Sequence, residues 1–242
     1  MFLQGKRILF FSAHLFGYQN DIRLAMESVG AIVDYYDERP ANNFLVKGVI
    51  RINRNLLAGY INHYYNKIIK ETLQKEYDYV FFIKGESISA SNVRRLKQFH
   101  PEANFIIYHW DSIANNSNAQ NLLPYFDRVF SFDKIDCERL GLHFLPLFYT
   151  PDYANIPYYD KEIKYDMLFV GTTHSDRYKL VKRIEEQIIK MGGLCLTWFY
   201  FPSKILYYKM KIQNSYLRQI PVHTFHFKPM SKELLLQLYA GS

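Results

Sequence analysis

Short apolar runs alternate with stretches of helical spacing along almost the whole chain. Lys6 to Ser12 (KRILFFS) is a compact run of the kind found in strands buried on both faces. A loop follows, then an amphipathic stretch from Asp21 to Val29 that stops at Gly30, so the pattern predicts strand, loop, helix and turn. Further strands are predicted at Ala31–Tyr36, Asp78–Lys84, Asn104–His109, Asp127–Phe132 and His143–Phe148. Between them, Phe44 to Lys75 carries apolar residues three to five apart, which predicts one long or broken helix, and Ser89–Phe99 predicts another. Strands separated by helices imply parallel βαβ units and a doubly wound sheet, complete within about residues 1–150.

From residue 151 to 164 the pattern lapses into prolines, tyrosines and mixed polar residues, which is linker composition. A second series then begins. Strands are predicted at Tyr165–Gly171, Leu194–Tyr200 and Val222–Phe227, and helices at His174–Met191, Ser203–Gln219 and Ser231–Ala240. The expected fold class is therefore α/β, with two Rossmann-like doubly wound parallel-sheet domains. The second, residues 165–242, is expected to be incomplete, because three strands rarely make a self-sufficient domain of this type.

Composition narrows the classes. With 49% hydrophobic residues in 242, the chain can build real cores, which excludes a disordered protein. Cys137 and Cys195 suggest neither a disulfide framework nor a zinc site, and no metal is expected. No segment reaches some 18 uncharged apolar residues, so no membrane span is expected. The run Ile8–Phe11 is too short for a secretion signal, and a cytoplasmic protein is expected. The net charge of +7 suits an anionic partner. Nucleic acid is disfavoured, since the basic residues are scattered without a recognition motif. A nicotinamide enzyme is disfavoured because SAHLFGYQND after the first strand lacks closely spaced glycines.

Four stretches carry a resemblance: FFIKGESIS (81–89), IIYHWDS (106–112), YFDRVFSFDKIDCERLGLHFLPLFY (125–149) and KYDMLFVGTTHSDRYKLV (164–181). In order and spacing the chain resembles the bacterial CgeB-type glycosyltransferases and those of lipopolysaccharide and capsular polysaccharide synthesis. That resemblance implies a GT-B-like pair of domains, with the acceptor facing the first and a nucleotide-sugar donor held by the second. It implies transfer of a sugar to a surface polysaccharide or lipid-linked glycan, at the inner face of the plasma membrane for a lipid-linked acceptor. No cofactor is implied, the nucleotide sugar being a substrate. Family members continue with a segment that meets the donor diphosphate, so the donor site is expected to be truncated. A non-catalytic relative that binds a glycan or a partner enzyme is the competing reading.

Candidate residues follow from the rule that ligands meet loops at the carboxyl ends of parallel strands. Glycosyl transfer needs a base for the acceptor hydroxyl and positive charge for the departing diphosphate. Asp111 and His14, each just beyond an apolar strand, are the candidate bases; a cap or turn role for Asp111 and an inert loop histidine are the alternatives. Gly171, Thr172 and Thr173 are read as following a strand and offering free N–H groups to a donor phosphate, with Arg177 completing the site. The alternative is that Thr173 or Ser175 caps the helix while Arg177 pairs with a surface carboxylate. Lys84, Glu86 and Trp110 are the acceptor-side candidates at the predicted cleft, Lys84 before Gly85 being able to approach an anionic acceptor; a plain strand-end turn at Lys84–Glu86 is the alternative. Asp133 and Asp136 fit an N-cap and first-turn acid better than a metal site. Residues 200–218 interleave lysines with aromatic and aliphatic residues. Such a helix suits an anionic membrane surface or packing against a sheet, and both readings stay open.

Overall fold

A computed structural model describes residues 2–116, 118–156, 164–173 and 176–240, apart from the side chains of residues 44, 51 and 52. The chain divides into two compact units, Met1–Phe148 and Tyr149–Ser242. Each is an α/β structure with its own parallel sheet.

The first unit runs β1 (Arg7–Ser12), α1 (Tyr18–Ser28), β2 (Ile32–Asp37), α2 (Phe44–Asn53), a 3-10 turn at Arg54–Leu57, α3 (Ala58–Thr72), β3 (Tyr79–Ile83), α4 (Ala90–Phe99) and β4 (Asn104–His109). After a 3-10 turn at Ile113–Asn115 come α5 (Ala119–Leu122), β5 (Arg128–Ser131), α6 (Lys134–Leu140) and β6 (His143–Phe144). Six strands lie in the order β2-β1-β3-β4-β5-β6, all parallel. The chain builds outward from β1 to β2, then returns past β1 to start again at β3. With right-handed crossovers, that reversal puts the helices before and after it on opposite faces.

Alternation along the strands shows the two faces. Leu9, Phe11, Val80, Phe82, Phe105 and Ile107 point into a core closed by Ile61, Tyr65, Ile68 and Ile69 of α3 and by Val93 and Leu96 of α4. Ile8, Phe10 and Ile83 point the other way, against Ile22 and Met26 of α1. Burial on both faces explains why β1 reads as an unbroken apolar run. Stacked rings tie the centre together, with Phe11 and Phe82 centroids 4.3 Å apart.

The second unit contains α7 (Pro151–Ala154), β7 (Met167–Thr172), α8 (Arg177–Lys190), β8 (Cys195–Tyr200), α9 (Lys204–Gln213), α10 (Ser215–Arg218), a 3-10 turn at Val222–Thr224, β9 (Phe225–His226) and α11 (Lys232–Tyr239). Its three strands pair in parallel in the order β7-β8-β9. Phe199, Phe201 and Phe225 meet Val181 of α8, Tyr207 of α9 and Leu217 of α10 in a single core. Within the stretch read as a linker, α7 forms a helical turn whose Asp152 pairs with Lys232 of α11, while residues 157–163 lie outside the described residues. Among the described residues no helix is long and apolar enough to cross a membrane.

Candidate functional site

A cavity of about 390 Å3 opens at the carboxyl edge of the first sheet, within the roughly 300–1,000 Å3 range of small-molecule sites. The loop after β3 supplies Lys84 and Glu86, and the segment after β4 supplies Asp111, Asn115 and Asn116. Asn118 and Asn121 come from the region of α5, while Ile50, Asn53, Arg54 and Asn55 come from the end of α2 and the turn beyond it. Six of these eleven residues are asparagines, and Ile50 alone is apolar. A carboxamide both donates and accepts, so Asn55, Asn115 and Asn121, whose side chains have no bond within the protein among the described residues, suit a ligand rich in hydroxyls.

The loop after β3 is held under strain. Lys84 has φ 74°, a left-handed conformation rare for a residue with a Cβ, and Gly85 follows with φ 63°. A Cβ on Gly85 would stand 2.8 Å from Leu122 Cδ1 and 2.9 Å from Ile107 Cδ1, so glycine is required by space as well as by φ. Side chains pin the carbonyls of this loop. Asn116 Nδ2 donates to the Lys84 carbonyl at 3.0 Å, and Asn118 Nδ2 donates to those of Gly85 (2.9 Å) and Ile88 (2.7 Å). Arg54 also donates to the Ile88 carbonyl. Strained backbone fixed by such cross-bonds is characteristic of functional loops.

Of the four charged residues on the cavity wall, Lys84, Glu86 and Asp111 are ion-paired, while Arg54 is bonded to a carbonyl. Lys84 Nζ lies 2.5 Å from Asp111 Oδ2. Glu86 pairs with Arg39, which is almost wholly buried. Next to Arg39, Glu38 is fully buried; its Oε1 accepts the Ser87 N–H at 2.6 Å, while its Oε2 has no partner among the described residues. Burial, helped by the neighbouring Glu86 and opposed by the Ser87 hydrogen bond and Arg39, pushes Glu38 up to about 7. Because β1 lies between β2 and β3, the Glu38–Arg39 segment reaches across the end of β1 to hold the cavity loop.

The sequence-derived candidates separate. Lys84, Glu86 and Asp111 share the cavity wall. Trp110, expected beside them, does not line it. It packs on the opposite side of the sheet, 6.2 Å from the rings of Tyr18 and Phe148, because successive residues past a strand end alternate in direction. His14 is also absent from the wall. It is exposed in the loop after β1, with Nδ1 2.8 Å from Gln19 Nε2 and its backbone N–H donating to Asp37.

In the second unit one expectation is corrected. Gly171 lies within the strand, as the predicted span Tyr165–Gly171 has it, and Thr172, expected beyond the strand, extends it by one residue; paired with Phe199 and Tyr200, both belong to the sheet ladder. Thr173 comes next, and Arg177 opens α8 with Nη1 3.4 Å from the Thr172 carbonyl, where a surface carboxylate partner was the alternative. The helix starts at Arg177 with Asp176 at the cap position and no side-chain cap bond, so Thr173 is no cap, and Ser175 lies outside the described residues. Asp133 caps α6 by accepting from Ile135 and Asp136. Buried Asp136 accepts from Ser112 Oγ and from Ile113 N–H, fixing the segment that carries Asp111. Among the described residues no group of three or more His, Cys, Asp or Glu could hold a metal ion.

Sequence reasoning missed the asparagines and the Glu38–Arg39 pair. The former left a visible signal, four asparagines between residues 115 and 121 and two more at 53 and 55. The latter did not, since DERP at 37–40 reads as an ordinary polar turn.

No family model and no curated protein matches the chain. Among solved structures, the chain is similar to one described as "Putative transcriptional regulator" from Clostridium difficile 630, at 12% identity and a TM-score of 0.36. The likeness covers 90% of this chain and 57% of the other. Similarity of that extent carries no inference about activity.

Proposed function

We propose that the chain is a glycosyltransferase with two Rossmann-like domains in a GT-B-like pair, and that the cavity of the first unit receives a hydroxyl-rich glycan acceptor. The observation that supports this reading is the asparagine-lined cavity with the Lys84–Asp111 pair on its wall. In the reaction, Asp111 takes the proton of the attacking acceptor hydroxyl as the new glycosidic bond forms at the anomeric carbon. The bond from that carbon to the nucleoside diphosphate breaks, and the diphosphate leaves with the electron pair. Lys84 holds the Asp111 carboxylate toward the cavity. Thr173 and Arg177 are the donor-side candidates in the second unit.

A second reading is a glycan-binding relative that does not transfer sugar. It is favoured by the engagement of Gly171 and Thr172 in strand pairing, which leaves fewer groups for a diphosphate. Calorimetric titration with a panel of UDP, GDP and TDP sugars, followed by product analysis with glycan acceptors, separates the two. Transfer that falls by at least about 100-fold in Asp111→Asn, with acceptor binding retained, is the expected result. Glycan binding without nucleotide-sugar binding selects the second reading. No binding of either class, or full activity in the variant, overturns the enzyme reading.

A further inference from the structure

Helix α9 is apolar on two opposite sides. Its inward side packs Leu206 and Tyr207 into the core of the second unit, with Tyr207 wholly buried and its hydroxyl donating to the Ile220 carbonyl at 2.9 Å. Those contacts explain the inward side. They do not explain Ile205, Tyr208 and Ile212, which are 83%, 53% and 78% exposed. Positions i, i+3 and i+7 fall on one face of a helix, so these three side chains form a stripe directed away from the sheet.

Lysines border the stripe. Lys204 and Lys209 are exposed on its two sides, and Lys211 follows one residue before Ile212. The surroundings share this sign over a long distance. No Asp or Glu occurs between Glu186 and Glu233, and the same stretch carries seven Lys or Arg residues. By contrast α8, which also exposes Leu180 and Ile184, carries Glu185 and Glu186 beside them. An apolar stripe rimmed only by cations matches a surface that is apolar beneath and anionic above, which is the chemistry of a bilayer containing anionic lipid.

We propose that α9 docks the second unit on anionic membrane, with Ile205, Tyr208 and Ile212 entering the headgroup boundary and Lys204, Lys209 and Lys211 meeting lipid phosphates. The inference rests on α9 and its charge, independently of the cavity in the first unit. A protein held this way lies on the membrane without crossing it, and its binding weakens with salt.

The test is flotation of the whole protein with vesicles of phosphatidylcholine alone or mixed with phosphatidylglycerol. Binding is expected only to the mixed vesicles and is expected to fall as salt rises. Ile205→Ser combined with Ile212→Ser is expected to weaken it at least about tenfold, and each of Lys204→Gln, Lys209→Gln and Lys211→Gln about fivefold. The substituted isoleucines are solvent-exposed, and an unchanged thermal melt shows that the fold is kept. Binding that survives the double isoleucine variant, or that is equal on uncharged vesicles, overturns the proposal. So does sedimentation showing that the stripe joins two copies of the chain while the vesicles remain bare.

Discussion

Two buried residues titrate in opposite directions, and their effects on stability partly cancel. Glu38, raised to about 7 by burial, stays protonated in the fold while the unfolded chain ionises above its ordinary value near 4.5. Its contribution is therefore fully present at low pH and is lost as pH rises toward about 7. His109, lowered to about 4 by burial against weaker attraction from Asp136 and Asp111, is neutral in the fold. Its contribution is present above 6.5 and is lost as pH falls toward about 4. Glu38→Gln removes the first slope and leaves the second. Urea denaturation between pH 5 and 8 should then show stability rising with pH more steeply in the variant, by a few kcal/mol across the window. Parallel profiles for the two proteins would show that Glu38 is ionised in the fold. Neither residue announces this in the sequence. Glu38 sits in a polar tetrapeptide, and its burial arises because residues far away, Tyr65 and Ser87, close over it.

At the scale of elements, the loop after β3 connects strain to site geometry. Gly85→Ala puts a Cβ against Leu122 and Ile107 at a left-handed φ, so a loss of about 2 kcal/mol is expected, seen as a lower melting temperature. Ligand binding in the cavity should weaken with it, because Asn116 and Asn118 hold the carbonyls that this loop would have to move. An unchanged melt would mean that the loop relaxes freely. Elements with a simple physical signature were legible beforehand. The central strands of the first sheet declared themselves because both faces are buried, and α4 because Ser89 caps it by accepting from Asn92. Edges and breaks were less legible. Strand β6 ends after Phe144, ahead of Pro146, where a longer strand was predicted, since proline supplies no donor to a ladder. The helix predicted over Ser203–Gln219 divides at Asn214, whose side chain caps α10. Val222–Thr224, predicted as strand, turns as a 3-10 helix after Pro221. In each case a single residue's local bonding overrode a hydrophobic pattern that spans it. The cavity was half legible for the same reason. Strand ends mark Lys84 and Asp111, whereas the asparagine wall depends on turns that no periodicity encodes.

At the scale of the molecule, each unit has its own core and each carries one of the two tryptophans, Trp110 in the first and Trp198 in the second. Trp110→Phe and Trp198→Phe therefore report on one unit apiece. The first unit, with two apolar clusters around six strands, should unfold at higher urea than the second, with one cluster around three. Coincident fluorescence transitions would instead mean that the chain unfolds as one cooperative whole. The strand order of the first sheet also sets a schedule for biosynthesis. β1 is among the first segments of this sequence to be made, yet one of its two neighbours, β3, lies about 70 residues later, Ile8 pairing with Tyr79. At roughly 5–20 residues per second, the ribosome needs about 4–14 s to cover that gap. Throughout that time Ile8 to Phe11, among the most deeply buried residues of the finished protein, must wait in the open or in the keeping of a chaperone.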